Sequence, residues 1–427
     1  MPTRTCAFVG APFCEGQNLE GADLGPSALR EAGIGRGAQK LGWNFEDLGD
    51  LNFAAHFESV GLGDKNGEPH FDKLALYREW LAETGMHTNF STWVADKNRE
   101  ALVNLATDDA LAPAPKRKKT QGVVNAERMG SGLRLIHEVV LKAAKAGHFV
   151  LTVGGDHSIA SGSISALCEA HPGLGVVWID AHADANTPGT SPSGHYHGMP
   201  AAHLMGWFGR EKGGDEDAAA GGLRGFEWFT PGCLPEGQLA YIGLRDIDPE
   251  EGEALTRSGV HAFTMRDVDK YGIAKVCEMA VAAVSGPDGK APLHLSLDID
   301  GVDPNFAPGT GTCARGGLTY REVHYICEEC ALSRRLVSMD LVEVSPSSSV
   351  NSPLRLHADG LPHQVEVSPS SSVYSPLRLH ADGLPHLVEV SPSSSVYSPL
   401  RLHADGLPHL VEVSPSSSVY SPLRLRL

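Results

Sequence analysis

Three short apolar runs, residues 149–153, 176–179 and 293–297, each stop abruptly at a stretch rich in carboxylates and imidazoles. Runs of this length, bounded in this way, read as buried strands. The first leads into Gly154-Gly155-Asp156-His157-Ser158, the second into Asp180-Ala181-His182-Ala183-Asp184, and the third into Asp298-Ile299-Asp300. In an extended backbone residues i, i+2 and i+4 point to the same side, so each set can converge on one point. Three strands thus deliver ligands at their carboxyl ends, where open α/β sheets place their crevices. The pattern is that of a metal site.

Oxygen ligands dominate, with only a few imidazoles. Such a set suits Mn²⁺ better than zinc, because hard ligands favour the harder ion whereas structural zinc takes thiolate and imidazole. The ligands outnumber what one ion needs, which points to a pair able to share and deprotonate a water near neutral pH.

The rest of the chain fits around these strands. Residues 131–145 repeat apolar side chains at Leu133, Ile136, Val140 and Ala144, a helical period that stops at Gly147. Further strand patterns at 239–244 and 260–264 alternate with helical ones around 273–284 and 320–332. Alternation of this kind predicts an α/β fold, a parallel sheet with helices on both faces.

Together Gly154-Gly-Asp-His157-Ser, Asp180-Ala-His182-Ala-Asp184-Ala-Asn186, Gly194-His-Tyr-His197-Gly, Gly243-Leu-Arg-Asp246-Ile-Asp248-Pro and Asp298-Ile-Asp300-Gly resemble the signatures of ureohydrolases, specifically the arginases. Gly10-Ala-Pro-Phe13, Gly25-Pro26, Gly311-Thr312 and Met339-Asp-Leu-Val-Glu343 extend the resemblance over residues 4–346. It implies an arginase/deacetylase-like sheet and two Mn²⁺ per subunit. His157, Asp180, Asp184 and Asp298 would hold one ion, and Asp180, His182, Asp298 and Asp300 the other, with Asp180 and Asp298 bridging.

The implied reaction is attack of a metal-bridging hydroxide on the guanidinium carbon of L-arginine, giving L-ornithine and urea. Asp184 would carry the proton to the leaving amine, Glu343 would pair with the guanidinium, and His197, ordinarily titrating near 6.5, would shuttle protons. Asn186, Ser191 and Ser193 match positions that recognise the α-carboxylate, and Asp248, helped by Glu251, matches recognition of the α-amino group. Thr312 belongs to the same substrate-binding set. Ser191 stands where threonine is common and keeps the hydroxyl, and His195 stands where asparagine is common. The alternatives are an agmatinase or other guanidino-acid ureohydrolase, and a non-catalytic metal-binding homologue.

A net charge of −17 over 427 residues argues against nucleic acid and anionic membranes as partners. The first residues run almost directly into a strand and no apolar run reaches membrane-spanning length, so a cytoplasmic location is the expectation. Cys327 and Cys330 form a lone C-x-x-C within the 320–332 helix pattern and read as part of a reduced helix face.

Two regions depart from the family pattern. An insertion at about 53–123, with a helical pattern at 74–83 and the basic run Lys116-Arg117-Lys118-Lys119, is expected to project from the core. Beyond 346 the motif Val-Glu-Val-Ser-Pro-Ser-Ser-Ser-Val repeats, placing glutamates at 343, 366, 389 and 412, a period of 23 residues. Prolines recurring at intervals of nine residues or fewer forbid an ordinary helix there. The expected division is therefore a catalytic domain at 1–346 and an irregular Pro/Ser-rich tail at 347–427, in which only Glu343, at the end of a strand, carries chemistry. By resemblance the chain would form trimers or hexamers, but the final helix and tail through which arginases pack and associate are missing.

Overall fold

The structure is a computed structural model that describes residues 4–19, 21–63, 122–209, 223–346 and two short strands beyond. The helical pattern at 74–83 and the basic run at 116–119 lie outside the described residues. Eight strands, β1 (Thr5–Ala11), β2 (Asn44–Asp50), β3 (Phe149–Gly154), β4 (Gly175–Ile179), β5 (Leu239–Leu244), β6 (His261–Thr264), β7 (Leu293–Asp298) and β8 (Leu336–Val342), form one sheet. Their order is β2-β1-β3-β8-β7-β4-β5-β6, and every neighbouring pair is parallel.

Among the described residues the α-helices are α1 (Gly25–Glu31), α2 (Ile34–Lys40), α3 (Phe53–Ser59), α4 (Ala126–Lys145), α5 (Ala160–Ala170), α6 (Pro200–Leu204), α7 (Pro249–Arg257), α8 (Met265–Tyr271), α9 (Ile273–Ala283) and α10 (Tyr320–Leu332). Alternate residues of β4 divide between two cores. Val176 and Trp178 pack with residues of α3, α4 and α5, while Val177 and Ile179 pack with α8, α9 and α10. Burial on both faces is why β4 reads as an unbroken apolar run rather than an alternating one, while β7 alternates leucine with the buried His294 and Ser296.

Helix α4 begins at Ala126, earlier than its apolar period, and buries Leu133, Ile136, Val140 and Ala144. Gly147 follows in the left-handed region at φ 79°, as a C′ residue should. The expectation for residues 53–123 needs correction at its start. Helix α3 buries Phe53 and Phe57 in the main core, with the rings of Phe13 and Phe53 at 4.8 Å, so this stretch belongs to the body of the fold.

By compactness the chain divides into Met1–Val365 and Glu366–Leu427. Within the second unit β9 (Arg378–Leu379) and β10 (Pro385–His386) pair antiparallel. Within the first, β3, β8, β7 and β4 lie side by side at the middle of the sheet. His157, Glu343, Asp298 and Asp180 stand at or just beyond their four carboxyl ends.

Candidate metal centre

The ligand-rich segments do meet, although not by remaining extended. Asp184 has φ 49°, in the left-handed region, and Asp300 lies in a 3₁₀ turn, Ile299–Gly301. Turns at the strand ends, rather than simple alternation, bring the side chains together. That corrects the geometric expectation drawn from the sequence.

His157 opens a turn capped by Asp156, whose Oδ1 accepts the Ser158 N–H at 3.1 Å. Its Nδ1 lies 3.0 Å from Asp180 Oδ2 and 3.1 Å from both Asp184 Oδ2 and Asp298 Oδ2. His182 Nδ1 stands 3.1 Å from Asp300 Oδ2 and 3.4 Å from Asp180 Oδ1. Two groups result, His157 with Asp180 and Asp184, and Asp180 with His182 and Asp300, the ligand atoms of each within 4.8 Å of one another. Asp180 is common to both. Asp298 approaches through His157, and its other oxygen accepts the Asp300 N–H at 2.7 Å.

Electrostatics show what this cluster demands. All four carboxylates are buried. Burial, then the charge of Asp180, lifts the Asp184 carboxyl, and burial with Asp300 and Asp180 holds Asp298 well above the usual range. Asp300 is pushed up to about 6 by the same causes. Burial works against Asp180 as well, but the His157 and His182 imidazoles beside it overcome it and keep that carboxyl low. The same pairs hold both imidazoles above their ordinary range despite burial. His157 Nδ1, buried and facing three carboxylate oxygens, has no hydrogen-bond partner among the described residues. Oxygen and imidazole ligands with excess negative charge and an unmet ring nitrogen fit divalent cations of the harder kind.

Supporting contacts orient these groups. The Trp178 indole donates to Asp180 Oδ2 at 3.0 Å, and His157 Nε2 meets Ser296 Oγ at 2.9 Å. Both supporters stand two residues before a ligand and so share its side of the strand. That period-two signal was available in the sequence although no role was read from it. Arg245 donates to the Asp300 carbonyl at 2.6 Å and to the Gly301 carbonyl at 3.1 Å, fastening the turn beneath Asp300.

Outside the cluster lies a cleft of about 240 Å³. A larger groove of about 660 Å³ runs beside Leu332 and Arg334, but it gathers no convergent carboxylates and imidazoles. Asn186, Ser191, Ser193, Asp248, Glu251 and Thr312 all line the smaller cleft, as do His197 and Glu343. Of the cluster itself, His182, Asp184, Asp298 and Asp300 line the cleft, whereas His157 and Asp180 do not. Asn186 donates to Asp248 Oδ2 at 2.9 Å, so the two groups expected to read the α-carboxylate and the α-amino group are already coupled. Ser191 and Ser193 accept the N–H of Gly194 and His195 at 3.0 and 3.2 Å, which leaves their hydroxyl protons to donate outward. Thr312 donates to Asp300 Oδ2 at 2.8 Å.

Glu251 is more occupied than its expected helping role implies. Its oxygens accept the N–H of Ala185 at 2.9 Å and of Asp248 at 3.0 Å, capping α7 and tying the Asn186 loop to it. Burial lifts its carboxyl to about 7 in spite of those bonds. Glu343 sits at φ 59° and anchors through its N–H to the Gly155 carbonyl at 2.9 Å. Its Oε1 accepts the His157 N–H at 3.0 Å and lies 3.5 Å from His197 Nδ1. Burial opposes protonation of His197, but the Glu343 hydrogen bond and the charges of Glu343, Asp156 and Asp184 outweigh it, raising the imidazole to about 9. Without cations nearby, His197 is therefore shifted from the ordinary value near 6.5 on which its shuttle role was reasoned. Gln17, bonded into this corner, had no place in the sequence reading, and Asp156 was quoted there without a role.

A family model described as "Arginase family" matches residues 4–358. An arginase of Glaciozyma antarctica is 36% identical over 344 residues, covering 81% of each chain. The bovine (Bos taurus) protein named "Arginase-2, mitochondrial" is 37% identical over 345 residues, covering 81% of this chain and 78% of its own. Among solved structures, the arginase of Bacillus caldovelox aligns with a TM-score of 0.60 at 28% identity, over 84% of this chain and 95% of that one.

Proposed function

The chain belongs to the arginase family, and from that premise we propose that it is a manganese-dependent hydrolase cleaving L-arginine to L-ornithine and urea. The observation that carries the reading is the pair of His/carboxylate groups sharing Asp180 at the base of a cleft walled by Asn186, Ser191, Ser193 and Asp248. In this reading His157, Asp180, Asp184 and Asp298 hold one manganese, and Asp180, His182, Asp298 and Asp300 hold the other. When bound, two such cations supply a water acidified to near neutrality for attack on an electrophilic carbon.

The chain's own residues do the rest. Glu343 receives the guanidinium, a planar cation whose paired N–H groups match a carboxylate. Asp184 accepts a proton at its carboxylate and delivers it to the leaving nitrogen, because an amide-like anion leaves poorly. His197, in contact with Glu343 and partly open to the cleft, moves protons between site and solvent. Asn186, Ser191 and Ser193 bind the α-carboxylate. Asp248, held in place by Glu251, binds the α-amino group, and Thr312 completes the wall. These outer contacts separate arginine from agmatine, which has no carboxylate.

Among the described residues no helix is long and apolar enough to cross a membrane. We retain a cytoplasmic setting and a catalytic unit at 1–346 as parts of the proposal. Urea release from L-arginine and agmatine, measured side by side with and without Mn²⁺, tests the reading. The account expects manganese-dependent release with arginine preferred, and a preference for agmatine would move the chain to the agmatinase activity.

A further inference from the structure

The segment following β1 has no role in the assignment above, yet it touches two turns and one side chain that do. Gly16 donates its N–H to Asp156 Oδ2 at 2.9 Å, and its carbonyl accepts the His197 N–H at 3.1 Å. The next residue, Gln17, donates from Nε2 to Glu343 Oε2 at 3.0 Å. A Cβ at position 16 would stand 2.9 Å from Ser158 Oγ and 3.0 Å from Asp156 Oδ2, so a side chain there would have to displace one of them. Two consecutive residues thus fasten the His157 turn, the His197 turn and the Glu343 side chain to one another.

The Gln17 contact is the informative one. Glu343 is only 2% exposed, and its Oε1 is engaged by His157 and His197. Oε2 takes its hydrogen bond from Gln17. The other end of that amide, Gln17 Oε1, is buried without a hydrogen-bond partner among the described residues. Turning the amide over would set Oε1 against Glu343 Oε2, two acceptors face to face. The orientation is therefore dictated by Glu343, and a buried acceptor goes unmet to keep one N–H on that carboxylate.

We propose that Gln17 is a positioning residue which fixes the rotation of the Glu343 carboxylate, so that a guanidinium-bearing substrate meets it in one orientation. The proposal rests on the reading of Glu343 as the guanidinium partner. Pairing of a planar cation with two carboxylate oxygens requires the two planes to match, and a carboxylate free to turn would present that match only part of the time. Gln17 touches no substrate in this account. It acts through Glu343.

The test uses the full manganese-loaded chain and two variants. Q17L keeps the bulk without the N–H, and Q17N keeps the amide but falls one methylene short. Both are expected to lower kcat/KM at least tenfold for L-arginine and for agmatine, with the larger change in KM, while manganese content and thermal midpoint stay as in the wild type. In an E343A background, Q17L should cost less than a further twofold, read by turnover or by calorimetric binding of L-arginine, because the group it positions is gone. Unchanged kinetics in both single variants, a loss of manganese or folding that accounts for the defect, or an undiminished tenfold cost in the E343A background would each overturn the proposal. A wild type that prefers agmatine would overturn the arginine reading alone, since the same cycle on agmatine still judges Gln17. A wild type that processes no guanidinium compound would remove both.

Discussion

Asp180 is the residue both halves of the cluster have in common, with one oxygen 3.0 Å from His157 Nδ1 and the other 3.4 Å from His182 Nδ1. In the proposed account H182A and D300A each lower the manganese content and nearly abolish urea release, and unchanged stoichiometry in both would contradict the ligand assignment. S296A removes the hydroxyl at His157 Nε2 and should weaken manganese affinity by roughly 10–100-fold, measured by competition with a chelator. The buried carboxyls also set a pH dependence. Glu251 at about 7 and Asp300 at about 6 lie above their unfolded values, so their contribution to stability is present at low pH and lost as pH rises through those points. His157 and His182, held above the ordinary imidazole range, act in the same direction. Asp180 and Glu343 are shifted down, act in the opposite sense, and lose their contribution only on acidification. Chelator-treated protein should therefore show a falling thermal midpoint from about pH 5 to about pH 8. The increment restored by Mn²⁺ should grow over the same range, because its ligands bind deprotonated. The carboxylates and imidazoles that cluster were legible in the sequence because such groups rarely end buried strands without a reason. The left-handed turn at Asp184 was not, since only its neighbours' packing demands it, and the contacts of Gln17 and Asp156 were hidden because they join turns far apart in sequence.

At the scale of elements, β3 and β4 were legible because sheet residues covered on both sides leave nearly continuous apolar runs, β7 because leucine recurs at every second position, and α4 because one buried face leaves a 3.6-residue period. Helix α3 was passed over, although Phe53 and Phe57 stand four apart, as a helix that buries one face requires. It is too short for a period to repeat, so only its packing reveals it. If α3 belongs to the core, F57A should cost about 3–5 kcal/mol of stability in denaturant unfolding. A cost near zero would return the segment to the insertion. Gly155 marks where β3, the β1 loop and Glu343 crowd together. A Cβ there would fall 1.7 Å from the Phe13 carbonyl oxygen, closer than any side chain can stand.

At the scale of the molecule, the four central strands end side by side, and that adjacency turns residues between 157 and 343 into neighbours. Strand order is what apolar runs cannot disclose, because it depends on which crossovers the helices make, and the sequence reading named a parallel sheet without an order. All the proposed ligands and substrate contacts lie within 157–343, and removal of Glu366–Leu427 is expected to leave urea release and manganese content unchanged, which assays on the shortened chain would check. The most direct measurement is elemental analysis of folded, manganese-loaded protein alongside D180A, which removes the carboxylate shared by both groups. The account predicts two equivalents of manganese per wild-type chain and a loss at both positions in D180A. One equivalent or none in the wild type, or an undisturbed pair in the variant, would contradict it.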